Sequence, residues 1–493
     1  MTAPARIVAA GWGWRYAGRR LPAVQDVSFT IEPGERVLLL GASGAGKSTL
    51  LAGMAGLLGG ADEGEQTGDL RVDGAPPQAQ RGRVGLVQQD PDAGVVLSRV
   101  GDDVAFGCEN LGLPADAIPA RVGEALEDVG LDVPLDHPTK ALSGGQKQRL
   151  ALAGVLAMHP GVLLLDEPTA NLDPAGVREV RAAVERAVSR TGATLVVIEH
   201  RTAVWQDLMT RVIVVGADGG LLADGPPAEV FAAQGAALAA AGVWVPGAPV
   251  DLPVLAPADA ASAPLLSAHA LAVSRDGRMP VRTGVELDIA RAAATVVTGP
   301  NGAGKSTLAL TLAGLLPELR GRVESAPELA GRRGTRPSRW TSRELLTRIG
   351  TVFQDPEHQF LARTLREELA VGPRALGLDE PAVLRIADDL LERIGLAPLA
   401  LANPFTLSGG QKRRLSVATV LATGPRVVVL DEPTFGQDRR GWTSLVALLQ
   451  EQILEGRAVV AVTHDADVAH HLGGRHVELT ASATASDSGR SAA

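Results

Sequence analysis

The chain has 493 residues, too many for one core and suited to two domains of about 230 residues with a joint between them. Its 47 basic and 56 acidic residues leave a net charge of −9, which argues against a general nucleic-acid surface. The single cysteine, Cys108, excludes an internal disulfide and reads as a small packed residue of an intracellular protein. Apolar runs such as 162–165 and 194–198 are strand-length, far short of the roughly 20 residues a spanning helix needs. The start also lacks the long apolar stretch of a secretory signal, so the chain reads as soluble by itself, reaching a membrane only by docking.

The first apolar run, 37–40, feeds GASGAGKST at 41–49, and the pattern predicts a helix over 47–58. Glycines here let backbone N–H groups turn onto phosphate oxygens at the positive end of the helix. A lysine reaches the β- and γ-phosphates, and a serine hydroxyl ligates Mg2+. Gly41, Ser43, Gly44, Gly46, Lys47, Ser48 and Thr49 are therefore candidate ATP ligands, with Ser48 also on the metal. Gln89 follows in QQDPDAG, and 95–140 is more helical. LSGGQ at 142–146 places Ser143, Gly144, Gly145 and Gln146 ahead of a helix, a second anion-binding nest. A strand over 163–165 delivers Asp166, to hold Mg2+ through water, and Glu167, to polarise the attacking water. Asp173 lies just beyond, and a strand over 195–198 leads to His200.

The order then repeats. GPNGAGKST at 299–307 supplies Gly299, Asn301, Gly302, Gly304, Lys305, Ser306 and Thr307, with a helix predicted over 305–316. Gln354, Ser408, Gly409, Gly410, Gln411, Asp431, Glu432, Asp438 and His464 follow in register, with 360–405 again more helical. Glutamines, signature serines and aspartates are offset by 265 residues but the lysines by 258, so seven residues are inserted between the second lysine loop and its glutamine. Four of the five lysines stand at motif positions (47, 147, 305 and 412), where a compact ammonium suits a phosphate cradle better than an arginine fork. Expected limits are 5–235 and 265–480 for the two domains, an ordered or semi-rigid Ala/Pro-rich linker over 236–264, and a disordered tail over 481–493. Strands alternating with helices, with ligands at the strand ends, make an α/β architecture with parallel sheets.

Five motifs in register, twice over, resemble an ABC-type ATPase with two fused nucleotide-binding domains, across nearly all of 5–480. The resemblance implies tandem P-loop domains, each with a RecA-like parallel-sheet core, an antiparallel β region and a helical subdomain. It implies head-to-tail packing as an intramolecular pseudo-dimer, with ATP and Mg2+ as cofactors. Site one would join Lys47, Ser48, Gln89, Asp166, Glu167 and His200 to Ser408 and Gly410. Site two would join Lys305, Ser306, Gln354, Asp431, Glu432 and His464 to Ser143 and Gly145. The implied metal set is Ser48, Gln89 and Asp166, with Ser306, Gln354 and Asp431; the glutamates are the bases and the histidines γ-phosphate switches. Asp173 and Asp438 match the acid that crosses the interface. Tyr16 resembles the aromatic that stacks on adenine, and its ungapped counterpart is Ser274, with Arg275 beside it, so site two is expected to bind ATP less tightly.

FQDPEHQ around Gln354, AFGCENLGL at 105–113 and PTFGQD at 433–438 further resemble the ATPases of energy-coupling factor transporters; the first half has Gly94 where the second has Gln359. That implies an energy-coupling subunit at the cytoplasmic face of the cell membrane, serving a transmembrane coupling subunit and a substrate-binding membrane subunit for a vitamin or metal micronutrient. The docking surface would lie beside Gln89 and Gln354, with Phe360 and Leu361 either docking or core residues. Two other classes share the motifs: soluble twin-ABC ATPases of the ribosome, and the twin ATPase of a sugar importer. The former usually carry a long charged helical linker, whereas 236–264 holds only Asp251 and Asp259 as charges.

Overall fold

The computed structural model describes residues 3–60, 62–170, 172–256 and 263–480; the tail over 481–493 and part of the linker lie outside them. The chain divides into two compact units, residues 1–249 with 438–440, and residues 250–437 with 441–493.

The first unit is built on a sheet whose parallel strands run in the order Val84–Val87, Val162–Asp166, Thr194–Ile198, Arg36–Gly41 and Arg211–Val215, with Leu221–Gly225 antiparallel at one edge. Alternate residues of these apolar runs enter two different cores. Val37, Leu39, Val162 and Leu164 join the core under a three-stranded antiparallel sheet, Val24–Ile31, Ile7–Tyr16 and Gly64–Val72. Leu38, Leu40, Leu163 and Leu165 join the core shared with helices Val100–Asn110, Ile118–Val129 and Gly144–Ala157. Burial on both faces explains why the strands read as unbroken hydrophobic stretches rather than alternating ones. Cys108 is fully buried in the second core, where burial pushes its thiol up and Sγ donates to Ala157 O at 3.3 Å, as a packed residue should.

The second unit repeats the plan with parallel strands Ile349–Val352, Val427–Asp431, Ala458–Val462, Ala294–Thr298 and Arg475–Glu478 and an antiparallel trio Arg282–Ala290, Pro264–Val273 and Arg320–Ser325. The seven inserted residues are taken up around a 7-residue helix, Ser342–Arg348, opened by a Thr341/Glu344 capping box that has no counterpart among the described residues of the first unit. The described part of the low-charge linker is packed at several points. Helix Pro227–Ala240 runs into it, Val243 and Val245 are buried in the first unit's core, and Pro253 O accepts from Gln450 Nε2 at 2.8 Å in the second unit.

Two helices are shorter than the sequence pattern predicts: they span Lys47–Met54 and Lys305–Leu312. Gly56 and Gly314 adopt φ of 71° and 74°, and each ends its helix in a Schellman motif. Leu57 N bonds Ala52 O and Leu315 N bonds Leu310 O, both at 2.9 Å.

Candidate nucleotide site

Four neighbouring strands in each unit present the motif residues at their carboxyl ends, in the order glutamine, acid pair, histidine, phosphate loop. The pairings Val87↔Leu165, Asp166↔Ile198 and Leu39↔Ile198 hold this order in the first unit, and Val352↔Leu430, Asp431↔Val462 and Val297↔Val462 in the second. Ligands belong at this end of a parallel sheet.

The phosphate loops are near-identical. Gly46 and Gly304 take φ of 93° and 88° ahead of their helices, a left-handed conformation suited to glycine. Lys47 Nζ donates to Gly41 O at 2.9 Å and Ala42 O at 3.0 Å, and Lys305 Nζ to Gly299 O at 2.8 Å and Pro300 O at 3.0 Å. Burial lowers the Lys47 pKa, against the opposing pull of Glu167, Asp166 and Asp438. Thr49 Oγ1 meets the Tyr16 hydroxyl at 3.2 Å, and Tyr16 also packs edge-on against Trp14.

The Ser48 hydroxyl bonds the Asp166 carboxylate, and the Ser306 hydroxyl bonds that of Asp431. Burial raises both aspartates, Asp166 to about 6 with Glu167 adding to the shift. A serine hydroxyl beside one carboxylate fits Mg2+, a hard cation that keeps several waters and shares its shell with substrate phosphates. Glu167 and Glu432 both sit at positive φ, 47° and 49°, pinned by N–H bonds to Ile198 O and Val462 O. Such strain costs on the order of 1–3 kcal/mol.

The surroundings of these two glutamates diverge. Glu167 accepts from Gln89 Nε2 at 2.8 Å and lies 3.1 Å from His200 Nε2. Burial pushes its pKa up, but His200, Lys47 and Gln89 outweigh burial and leave it below the ordinary value. Glu432 accepts from Thr463 Oγ1 at 3.1 Å, with His464 Nε2 at 3.7 Å, and burial with Asp431 drives it up to about 7. The cause lies in residues flanking each histidine that the motif reading passed over. The first unit reads Glu199-His200-Arg201 and the second Thr463-His464-Asp465. Thr169 Oγ1 bonds the buried Glu199, whereas Thr434 Oγ1 bonds Asp465 Oδ2 at 3.0 Å, an oxygen that also accepts from Trp442 Nε1 at 2.7 Å. One carboxylate serves the same threonine in each unit from opposite sides of the histidine, a swap visible once the two halves are aligned.

The remaining sequence candidates take these places. Ser143 and Ser408 cap helices Gly144–Ala157 and Gly409–Leu421 in capping boxes closed by Gln146 and Gln411. Asp173 caps helix Pro174–Thr191 through Gly176 N at 2.8 Å. Asp438 falls in the first unit, where its Oδ2 accepts from Ser43 N at 2.8 Å. Lys147 and Lys412 pair with Asp92 and Glu357, acids on the turns after the glutamines, which accounts for them structurally. Phe360 is buried edge-on to Phe405, while Leu361 is 78% exposed. The equivalence of Tyr16 with Ser274 is off by one. The positive-φ bulges Gly11 and Ala270, and the pairs Ile7↔Ile31 and Leu266↔Ile289, align Tyr16 with the exposed Arg275. Ser274 is buried, its hydroxyl bonded to Asp276 at 2.9 Å and Met279 O at 2.7 Å.

Comparison with known proteins bears on this geometry. The ABC transporter family model matches residues 24–170 and 283–435. A Bacillus subtilis protein provisionally named an HMP/thiamine import ATP-binding protein, YkoD, is 34% identical over 475 residues, covering 91% of this chain and 85% of its own length. A Streptomyces avermitilis protein, provisionally named an ABC transporter ATP-binding protein, is also 34% identical, covering 96% and 92%. Among solved structures, the archaeal ribosome recycling factor aABCE1, in complex with the ribosomal stalk protein aP1, matches with a TM-score of 0.62 over 95% of this chain and 87% of its own, at 20% identity, a likeness of fold. With the family model matched in both halves and full-length relatives of the same build, the chain belongs to the ABC transporter family as a tandem ABC ATP-binding protein, an ATPase.

Proposed function

We propose that this chain is the ATP-hydrolysing energy-coupling subunit of an importer for a vitamin or metal micronutrient, of the energy-coupling factor type. The observation that carries the reading is the 34% identity, across 91% of the chain, to a relative provisionally named for HMP/thiamine import. FQDPEHQ around Gln354 supports it from the sequence side. Among the described residues no helix is long and apolar enough to cross a membrane, so transport in this reading needs transmembrane partners: a coupling subunit and a substrate-binding subunit at whose cytoplasmic face the chain docks. Leu361 and Phe405, 78% and 50% exposed near the second glutamine turn, offer an apolar contact.

In the same reading Lys47 and Lys305 hold the β- and γ-phosphates, and Ser48 with Asp166, and Ser306 with Asp431, hold Mg2+. The metal supplies charge neutralisation on the phosphates when bound. Glu167 and Glu432 polarise the attacking water, Gln89 and Gln354 sense the nucleotide and complete the metal set, and His200 and His464 are the γ-phosphate switches beside the glutamates. The two halves act as an intramolecular pseudo-dimer, each LSGGQ serving the other half's nucleotide.

The test is affinity purification of the tagged full chain from detergent-solubilised membranes of its host, with mass spectrometry of what is retained. Integral membrane proteins in near-equal amount, and uptake of a labelled micronutrient lost on deleting the chain, are expected. Recovery of ribosomal subunits without membrane proteins would overturn the importer reading while leaving the ATPase intact.

A further inference from the structure

The two glutamine turns are tied to their units differently, and the difference comes from two positions that change together. In the second unit Gln359 Oε1 accepts from Phe353 N at 2.9 Å. Arg413, on the signature helix Gly409–Leu421 and only 4% exposed, donates from Nη1 to Phe353 O at 2.7 Å and from Nη2 to Gln354 O. Nη1 also lies 3.5 Å from Asp431 O, at the end of the acid strand. Two side chains thus hold both backbone polar atoms of Phe353 and the carbonyl of Gln354. In the first unit the aligned positions are Gly94, which has no side chain, and Gln148, which is 3% exposed with Nε2 buried and without a partner. The ion pair from the signature lysine to the turn is common to both units, so it does not offset the loss.

A guanidinium suits this place for a physical reason. Its planar fork reaches two adjacent carbonyls at once, its charge is balanced by the nearby Asp431, Glu432 and Asp355, and it stays charged when buried. A glutamine amide is shorter and neutral, and a lysine ammonium reaches as a single point.

We propose that Arg413 is a positioning residue that locks the second glutamine turn, braced internally by Gln359, to its own signature helix, so that the two move as one body, while the first turn, joined to its helix through Lys147 and Asp92 but without this fork, is coupled to it less strictly. Displacement of Gln354 by nucleotide must then carry Ser408 and Gly410 with it, and displacement of Gln89 need not carry Ser143 and Gly145. The consequence for ATP rests on the reading that the glutamines serve the nucleotide sites. The clamp itself does not, and the measurements separate the two.

Hydrogen exchange of the full-length chain, read by mass spectrometry, tests the clamp. Without nucleotide, the turn around 353–358 should exchange about tenfold more slowly than that around 88–93, the scale of one local hydrogen bond lost on opening. Arg413→Gln and Gln359→Gly should each erase the difference, and Gly94→Gln with Gln148→Arg should slow the first turn. Adding ATP with Mg2+ should change protection of 353–358 and 408–415 together in the wild type, and separately in Arg413→Gln. Equal exchange of the two turns in the wild type would overturn the proposal. So would wild-type exchange in Arg413→Lys, which would mark Arg413 as a countercharge rather than a fork. If Arg413→Gln fails to fold, Gly94→Gln with Gln148→Arg decides, since it builds the fork and brace into the first unit, and unchanged exchange of the first turn there would overturn the proposal. Unchanged ATPase in Gln354→Ala with the exchange pattern intact would remove the catalytic consequence and leave the clamp standing.

Discussion

In the first unit Glu167 lies between Gln89 Nε2 at 2.8 Å and His200 Nε2 at 3.1 Å; in the second, Glu432 takes Thr463 Oγ1 at 3.1 Å and His464 Nε2 stands off at 3.7 Å. The loop lysines and serines, the acid pairs and the histidines are the same residue types, yet one glutamate is held below its ordinary pKa and the other is raised to about 7. The lesson is that a motif specifies which groups meet, whereas neighbours outside the motif decide their charge. Thr463 offers Glu432 a neutral hydroxyl, while Glu199, at the aligned position, turns away to Thr169 and leaves Glu167 to its histidine. Burial, with the neighbouring Asp431, is what raises Glu432, and among the described contacts its histidine stands farther off than His200 does from Glu167.

The largest expected effect tests what the two sites share. Replacing Glu167 and Glu432 together by Gln should lower ATPase turnover by about 10²–10⁴-fold with nucleotide binding retained, since water activation is lost and the phosphate loops are untouched. Near-normal turnover would remove both from the chemistry.

Next, the loops themselves can be pulled apart. A Cβ on Gly46 would lie 2.1 Å from the backbone oxygen of Ala23, whereas one on Gly304 would first meet the Val281 side chain at 3.0 Å. Both substitutions carry left-handed strain of roughly 1–2 kcal/mol, and only Gly46→Ala adds a backbone clash on the order of 1–3 kcal/mol. Urea midpoints should therefore fall further for Gly46→Ala than for Gly304→Ala, and equal losses would deny that the loops differ in their support.

Adenine contact gives a smaller contrast. Tyr16→Ala should weaken nucleotide binding at the first loop by about 1–3 kcal/mol if its ring stacks, while Arg275→Ala, at the aligned position of the second unit, should change binding less. Titration with a fluorescent ATP analogue in each variant decides, and a silent Tyr16→Ala would leave Tyr16 as a structural residue, its ring on Trp14 and its hydroxyl on Thr49.

The mildest effect is on pH dependence. A general base acts only when deprotonated, so turnover resting on Glu432 should fall as pH drops below about 7, the value to which burial and Asp431 raise it. Turnover resting on Glu167 should hold to lower pH because His200 and Lys47 favour its charged form. The acid limb of kcat/KM in Glu167→Gln should thus lie above that in Glu432→Gln, with about a tenfold loss by pH 6 in the former. Coincident limbs would erase the electrostatic difference between the halves.

Much of this was legible in the residues. Duplication, α/β class and the strand-end placement of motif residues follow from glycine loops and apolar runs, because backbone chemistry at a phosphate loop tolerates few alternatives. The helix ends were misjudged: 47–58 and 305–316 read as continuous apolar faces, but Gly56 and Gly314 close the helices early through local backbone bonds. The pairing of Tyr16 with Ser274 failed because a turn one residue shorter shifts the register by one, and only strand pairing and the bulges at Gly11 and Ala270 reveal it.

Sequence alone, then, determined that two phosphate loops exist, which residues line them, and that parallel strands present them, since those features depend on local pattern and spacing. Tertiary structure decided how each glutamate is charged, which carboxylate serves Thr169 and which Thr434, and that Arg413 reaches the glutamine turn. Those outcomes depend on groups far apart along the chain meeting in a buried space, Gln89 and Glu167 among them at 78 residues, where distance and desolvation set the energy.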